Sequence, residues 1–176
     1  IGAWLTTFYV GAPLLLMSPL MFLARPVRWL QAIDRYRGTI SAAPNFAYDL
    51  CTTRIADEDL AGLNLSSARA LLNGSETVSP NTLTAFAERF LPYGLSNSAV
   101  VPVYGLAENS VALTVPTIGA PPHVDVVRRN LFQETGEAIP AKHNDEAALR
   151  FVSCGRSVSQ HEIRVVDRAL CLPRAP

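Results

Sequence analysis

The chain has 176 residues, and its 15 lysines and arginines balance 15 aspartates and glutamates. That balance gives no argument for a nucleic-acid binder and none for attraction to anionic lipid. Cys51, Cys154 and Cys171 are widely spaced and His123, His143 and His161 are scattered. Neither a disulfide framework nor a zinc site is therefore expected, and a reducing, cytoplasmic setting is.

The first 24 residues carry no charge. A membrane span would need that length unbroken, but Gly11-Ala12-Pro13 and Ser18-Pro19 cut it, so no integral span is expected. The reading is a buried helix, a turn at Gly11, a core strand over 14–17 and a short helix after Ser18. The opening Ile-Gly suggests the interior of a longer protein. Pro26 starts an amphipathic helix whose face is Val27, Leu30 and Ile33, and Gly38 ends it. A strand over 39–42, a turn at 43–45, a helix over 46–54 and a helical turn at 57–60 follow. A strand over 68–73 runs into Gly74-Ser75-Glu76. Ser79-Pro80 caps a helix with Leu83, Phe86, Ala87 and Phe90 on its apolar face, and a strand over 99–103 comes next. This alternation predicts an α/β fold, a mostly parallel sheet with helices on both faces. Residues 114–148 read as irregular, with a short helix near 126–132. Regular structure resumes at 149–153, and a last strand is expected over 162–167.

Three strand ends carry polar or glycine residues: Asn45, Phe46 and Tyr48; Asn73, Gly74, Ser75 and Glu76; and Tyr104, Gly105 and Glu108. In a parallel sheet all three lie along the carboxyl edge, where such folds bind ligands. Gly74 would let backbone approach a flat ligand and Tyr104 would stack on it, while Glu108 could hold magnesium beside a phosphate. The same residues also fit plainer roles: Tyr104 a core aromatic, Gly105 a turn residue, Glu108 a helix-start acid, Asn73-Gly74 a common turn and Pro44-Asn45 a helix start.

In order and interval these segments resemble the adenylate-forming superfamily, in particular its fatty acyl-AMP ligases and related fatty acyl-CoA synthetases. The matching stretches are Met17 to Leu30, Ile40-Ser-Ala-Ala-Pro-Asn-Phe-Ala-Tyr-Asp-Leu-Cys51, Leu72-Asn-Gly-Ser-Glu-Thr-Val78 and Tyr104-Gly-Leu-Ala-Glu108. The resemblance covers 1–167, as part of the large N-terminal domain of such an enzyme, and 168–176 is a divergent tail. It implies ATP and magnesium as cofactors, a fatty acid as substrate, and an acyl carrier protein or CoA as acceptor. It places Asn73, Gly74, Ser75, Glu76, Tyr104 and Gly105 at the adenine and AMP. Asn45, Phe46 and Tyr48 would lie at the acyl chain, and Glu108 at magnesium. The stretch 115–153 resembles extra sequence carried by the acyl-AMP ligases, which favours transfer to a carrier protein.

The family's phosphate loop, ribose-binding aspartate and mobile lysine-bearing domain have no counterpart in this sequence, and Lys142, the single lysine, does not match the family's catalytic one. The expectation is a central section of an acid-activating ligase, inactive by itself. The rival is a non-catalytic domain that binds nucleotide or acyl groups, or associates with another chain.

Overall fold

The computed structural model describes residues 2–142, 144–167 and 172. Helices α1 (Gly2–Val10), α2 (Pro19–Ala24) and α3 (Val27–Tyr36) precede strand β1 (Ile40–Pro44), helix α4 (Asn45–Arg54), strand β2 (Ala70–Gly74), helix α5 (Pro80–Phe90) and strand β3 (Val100–Pro102). The remainder comprises β4 (Thr114–Val115), β5 (Val124–Val127), α6 (Arg129–Thr135), β6 (Leu149–Val152) and β7 (Arg156–Ser157).

Strands β1, β2 and β3 form a parallel sheet in that order, with Leu71 opposite both Ser41 and Val100. Successive strands joined by a helix in spatial order place both connecting helices on one face when the crossovers share a hand. Helices α4 and α5 accordingly pack side by side. The core beneath them joins Trp29 and Leu30 of α3, Tyr48 and Cys51 of α4, Leu71 of β2, Phe86 and Phe90 of α5, and Val100 of β3. Side chains alternate along a strand, so Ala70 and Val101 belong to the opposite face, and they too are buried. Trp29 ties α3 to the sheet, its Nε1 donating to Ser41 Oγ at 2.9 Å.

One polar device closes the lower end of this layer. Arg89 of α5 donates to the carbonyls of Thr52 and Ile55, where α4 ends, and pairs with Asp57 at 2.9 Å. A cation here satisfies carbonyls that have no helical partner and complements the helix dipole. We expect Arg89→Ala to cost about 2–3 kcal/mol, the scale of charged hydrogen bonds. Arg89→Lys should recover only part, because one ammonium nitrogen replaces the two guanidinium nitrogens that reach the Thr52 and Ile55 carbonyls separately. Urea denaturation of the three proteins measures this, and an Arg89→Lys protein as stable as the original would contradict the fork.

Four expectations need correction. Helix α1 forms but buries none of its residues, and Phe8 is 73% exposed. Residues 14–17 form no strand and no described strand pairs with them. An apolar run acquires strand geometry only from a hydrogen-bonding neighbour, and Leu14, Leu15 and Leu16 are exposed instead. The supposedly irregular stretch holds β5, paired antiparallel to β6 with Val126 opposite Arg150. The short helix expected near 126–132 is therefore displaced to α6, starting at Arg129. Residues 162–167 form no strand beyond a single bridge position at Val166, and Val165 is 68% exposed. The tail expected to diverge, 168–176, lies outside the described residues apart from Leu172. His143 lies outside them too. Among the described residues no helix is long and apolar enough to cross a membrane.

Candidate functional site at the carboxyl edge of the parallel sheet

The carboxyl ends of β1, β2 and β3 lie side by side because the register pairs Pro44 with Gly74 and Asn73 with Pro102. Each of the three predicted segments begins at one of those ends. Strand β1 passes without a turn into α4, whose first residue is Asn45, since Pro44 is extended and cannot donate to the ladder. Ser79 caps α5, its Oγ accepting from Thr82 N at 3.3 Å. Two helix N-termini thus meet at this edge and favour negative charge there.

The residues divide by exposure. Phe46, Ser75, Glu76, Tyr104, Gly105 and Glu108 are on the surface, and Asn45 is half-buried. Asn73 and Tyr48 are 0% exposed. Asn73 shares the helix-facing side of β2 with Leu71, two residues earlier. Tyr48 stands edge-on to Trp29 with ring centroids 5.3 Å apart, and its Oη donates to Leu72 O at 3.0 Å. Burial raises its pKa well above the usual tyrosine range. In this structure Tyr48 offers no surface to an acyl chain and supports α4 from below.

Gly74 is explained by its neighbour. A Cβ there would stand 2.8 Å from Val103 O and 3.0 Å from Val103 Cγ2. The segment after β3 is thus by itself a reason for glycine here, beside the expected approach of a flat ligand to this backbone. The backbone turns sharply next, with Ser75 at a φ of 68°, a left-handed conformation that non-glycine residues seldom adopt.

After β3 the chain forms a closed loop. Tyr104 N donates to Thr114 O at 3.3 Å, and Thr114 N to Tyr104 O at 2.9 Å. A Cβ on Gly105 would fall inside the Val111 carbonyl, so glycine is what lets this loop close. Tyr104 is pinned by its backbone while its ring is 54% exposed. That placement removes the core-aromatic reading and leaves the ring free to stack. Glu108 sits in a short 3-10 turn, Ala107–Asn109, with its side chain exposed. No group of three or more His, Cys, Asp or Glu side chains among the described residues could hold a metal ion. A lone carboxylate still fits magnesium carried in by a nucleotide, because that ion keeps waters and phosphate oxygens as its other ligands.

Sequence reasoning missed how the polar side chains serve one another. Glu76 Oε1 accepts from Phe46 N at 2.7 Å. Asn45 Oδ1 accepts from Ser79 N at 3.0 Å and from Asn73 Nδ2 at 3.3 Å, and Asn45 Nδ2 donates to Thr82 Oγ1 at 3.4 Å. The only available sign was parity, which puts Asn73 on the same side as Leu71. A concavity of about 700 Å³ lies apart from this edge, lined by β5, Phe132, Pro140 and Phe151. Its one charged lining residue, Asp125, is engaged by His123 at 3.1 Å. It lacks the converging polar groups that orient a ligand, so the sheet edge is the better candidate.

Cys51, beneath the site, is wholly buried. Burial pushes its thiol up from 9.0 to about 12, against a smaller opposing pull from Arg89. A raised folded-state value means stability that is complete below the unfolded pKa and lost as pH rises toward the folded one. We expect stability to fall between pH 9.0 and about 12, with Tyr48 adding to the loss at the upper end. Urea midpoints across that range should decline less steeply in Cys51→Ala, and equal slopes would exclude this thiol as a source.

The AMP-binding enzyme model matches residues 1–174. The chain is 44% identical over 159 residues to the probable long-chain-fatty-acid-AMP ligase FadD30 of Mycobacterium tuberculosis, covering 90% of this chain and 27% of that protein. It is 37% identical over 160 residues to the medium-chain-fatty-acid-[acyl-carrier-protein] ligase JamA of Moorena producens, again 90% and 27%. The crystal structure of a fatty acyl-adenylate ligase from L. pneumophila, in complex with acyl adenylate and pyrophosphate, superposes with a TM-score of 0.92 at 34% identity, over 99% of this chain and 30% of that one. The chain therefore spans between a quarter and a third of the length of these relatives.

Proposed function

Because the chain belongs to the AMP-binding enzyme family, in its fatty acyl-AMP ligase branch, we propose that it forms the adenine wall, part of the acyl pocket and one metal ligand of a fatty acid activating ligase. In that reaction the fatty acid carboxylate attacks the α-phosphorus of ATP, giving acyl-AMP and releasing pyrophosphate. Backbone at Gly74, Ser75 and Glu76 borders the adenine and Tyr104 stacks on it. The first turn of α4, which holds Asn45 and the exposed Phe46, lies toward the acyl chain. Bound magnesium, with Glu108 as one ligand, would supply charge neutralisation at the phosphates. Positioning and electrostatic stabilisation carry most of such a reaction. By itself the chain turns over poorly or not at all, because the family's phosphate loop and mobile lysine are not in this sequence. The acceptor is a carrier protein in preference to CoA, a choice supported by the extra stretch at 115–153 and by the similarity to JamA, an acyl-carrier-protein ligase.

The observation that carries this reading is the meeting of three family-matching segments at one sheet edge, with Tyr104 exposed there. Calorimetric titration of the chain with a stable acyl sulfamoyl adenosine tests it. Binding that weakens about tenfold in Tyr104→Ala is expected, the loss of one stacked ring. Equal affinity in the two proteins would remove Tyr104 from the site, and rapid acyl-AMP synthesis by the chain would disprove its inactivity. The exposed apolar side chains of α1 and residues 14–16 favour a second reading, an associating non-catalytic domain. Self-association in size-exclusion chromatography without analogue binding would support that alternative.

A further inference from the structure

We infer that the side chains of Glu76, Asn45 and Asn73 are positioning residues that stitch the β2–α5 loop to the first turn of α4, and are not themselves ligand contacts. This rests on the acyl-adenylating reading above. The first N–H groups of a helix have no helical acceptor, and Glu76 Oε1 fills that need at Phe46 N, 2.7 Å away. Three residues further on, Ser79 N donates to Asn45 Oδ1 at 3.0 Å. The loop is therefore fastened twice to neighbouring residues at the start of α4, through Glu76 to Phe46 and through Ser79 to Asn45. Between and before the stitches Ser75 and Thr77 stay exposed, and Ser75 holds its left-handed φ of 68°.

The amide orientations form one consistent set. Ser79 N–H requires an acceptor, which makes the facing atom of Asn45 its oxygen. That oxygen in turn requires the nitrogen of Asn73, at 3.3 Å. Asn73 Oδ1 is left buried without a partner, turned away from the stitch. No charge is needed for any of these bonds. Glu76 acts as an acceptor whose carboxylate is further favoured by the α4 dipole, and a neutral amide oxygen can accept the same bond.

The test uses the chain with Glu76→Ala, Glu76→Gln and Asn45→Ala, and two readouts. Amide hydrogen exchange without ligand reads the stitches directly. Exchange at Phe46 should quicken about tenfold in Glu76→Ala, as one lost hydrogen bond implies, and return toward the original in Glu76→Gln. Asn45→Ala should quicken exchange at Ser79. Titration with the acyl sulfamoyl adenosine reads the consequence for the site. Affinity should fall about tenfold in Glu76→Ala and be restored to within about twofold by glutamine. A glutamine variant as weak as alanine, with Phe46 still protected, would make Glu76 a direct charged contact and overturn the inference. No binding by the unsubstituted chain would overturn the adenylate reading, and Phe46 exchange would still decide whether the stitch exists.

Discussion

Asn73→Asp is expected to cost about 3–5 kcal/mol of folding stability at pH 8, the scale of a buried charge left uncompensated. The site has 0% exposure, and the nitrogen that donates to Asn45 Oδ1 would become an oxygen facing an oxygen. A protonated carboxyl could still donate to Asn45, so the cost should depend on pH. The introduced group has a folded-state pKa raised above its unfolded value of about 3.9, and its protonated contact is lost as pH rises through the folded value. Urea denaturation near pH 4 should therefore show a much smaller deficit than at pH 8. Asn45→Asp provides the contrast. Its oxygen keeps both Ser79 N and Asn73 Nδ2, and at the 3.4 Å contact the Thr82 hydroxyl can turn to donate to the new oxygen, so a cost of no more than about 1 kcal/mol is expected. Equal penalties for the two substitutions would reverse the assigned amide orientations.

Phe86→Ala should be as damaging for a different reason, removal of packing. The ring is 0% exposed, with centroids 4.6 Å from Phe90, 4.9 Å from Tyr48 and 6.2 Å from Trp29. It joins α5 to α4 and α3 at once, and three rigid rings around it have little freedom to collapse into the gap. A loss of about 3–5 kcal/mol follows from burial and cavity combined, and Phe86→Leu should lose clearly less. The denaturant midpoint measures both. A loss below about 1 kcal/mol for alanine would mean that the cluster relaxes as a liquid would, contrary to close packing. Because Ser79 caps α5, the damage should extend to the carboxyl edge as quicker exchange of the Ser79 amide.

Where local signals and tertiary packing agreed, the sequence was readable. Ser79-Pro80 followed by Leu83, Phe86 and Phe90 is α5 as it stands. The three polar strand ends meet because parallel strands linked by helices have no other arrangement for their carboxyl ends. Apolar content without a partner misled at 14–17 and at 162–167, since composition does not say what will cover a residue. Strand β5 escaped notice because its pairing with β6 is non-local and its valines sit among prolines and charges. Within the site, types of residue were legible and directions were not. Gly74 reads as room for a ligand, and only the structure adds Val103 against it; Glu76 reads as an adenine-side residue, and its bond to Phe46 has no sign in the sequence.

The bare apolar helix α1 has a practical result for anyone handling this protein. Leu5, Phe8, Tyr9 and Val10 are each more than half exposed, a patch of the kind to which the dye anilinonaphthalene sulfonate adheres. Native protein should light the dye before any denaturant is added. An assay that equates such fluorescence with lost tertiary packing would score a folded sample as molten. The near-ultraviolet dichroism of Trp29, fixed 5.3 Å from Tyr48, is the better gauge, and it should vanish in a transition that the dye signal does not announce.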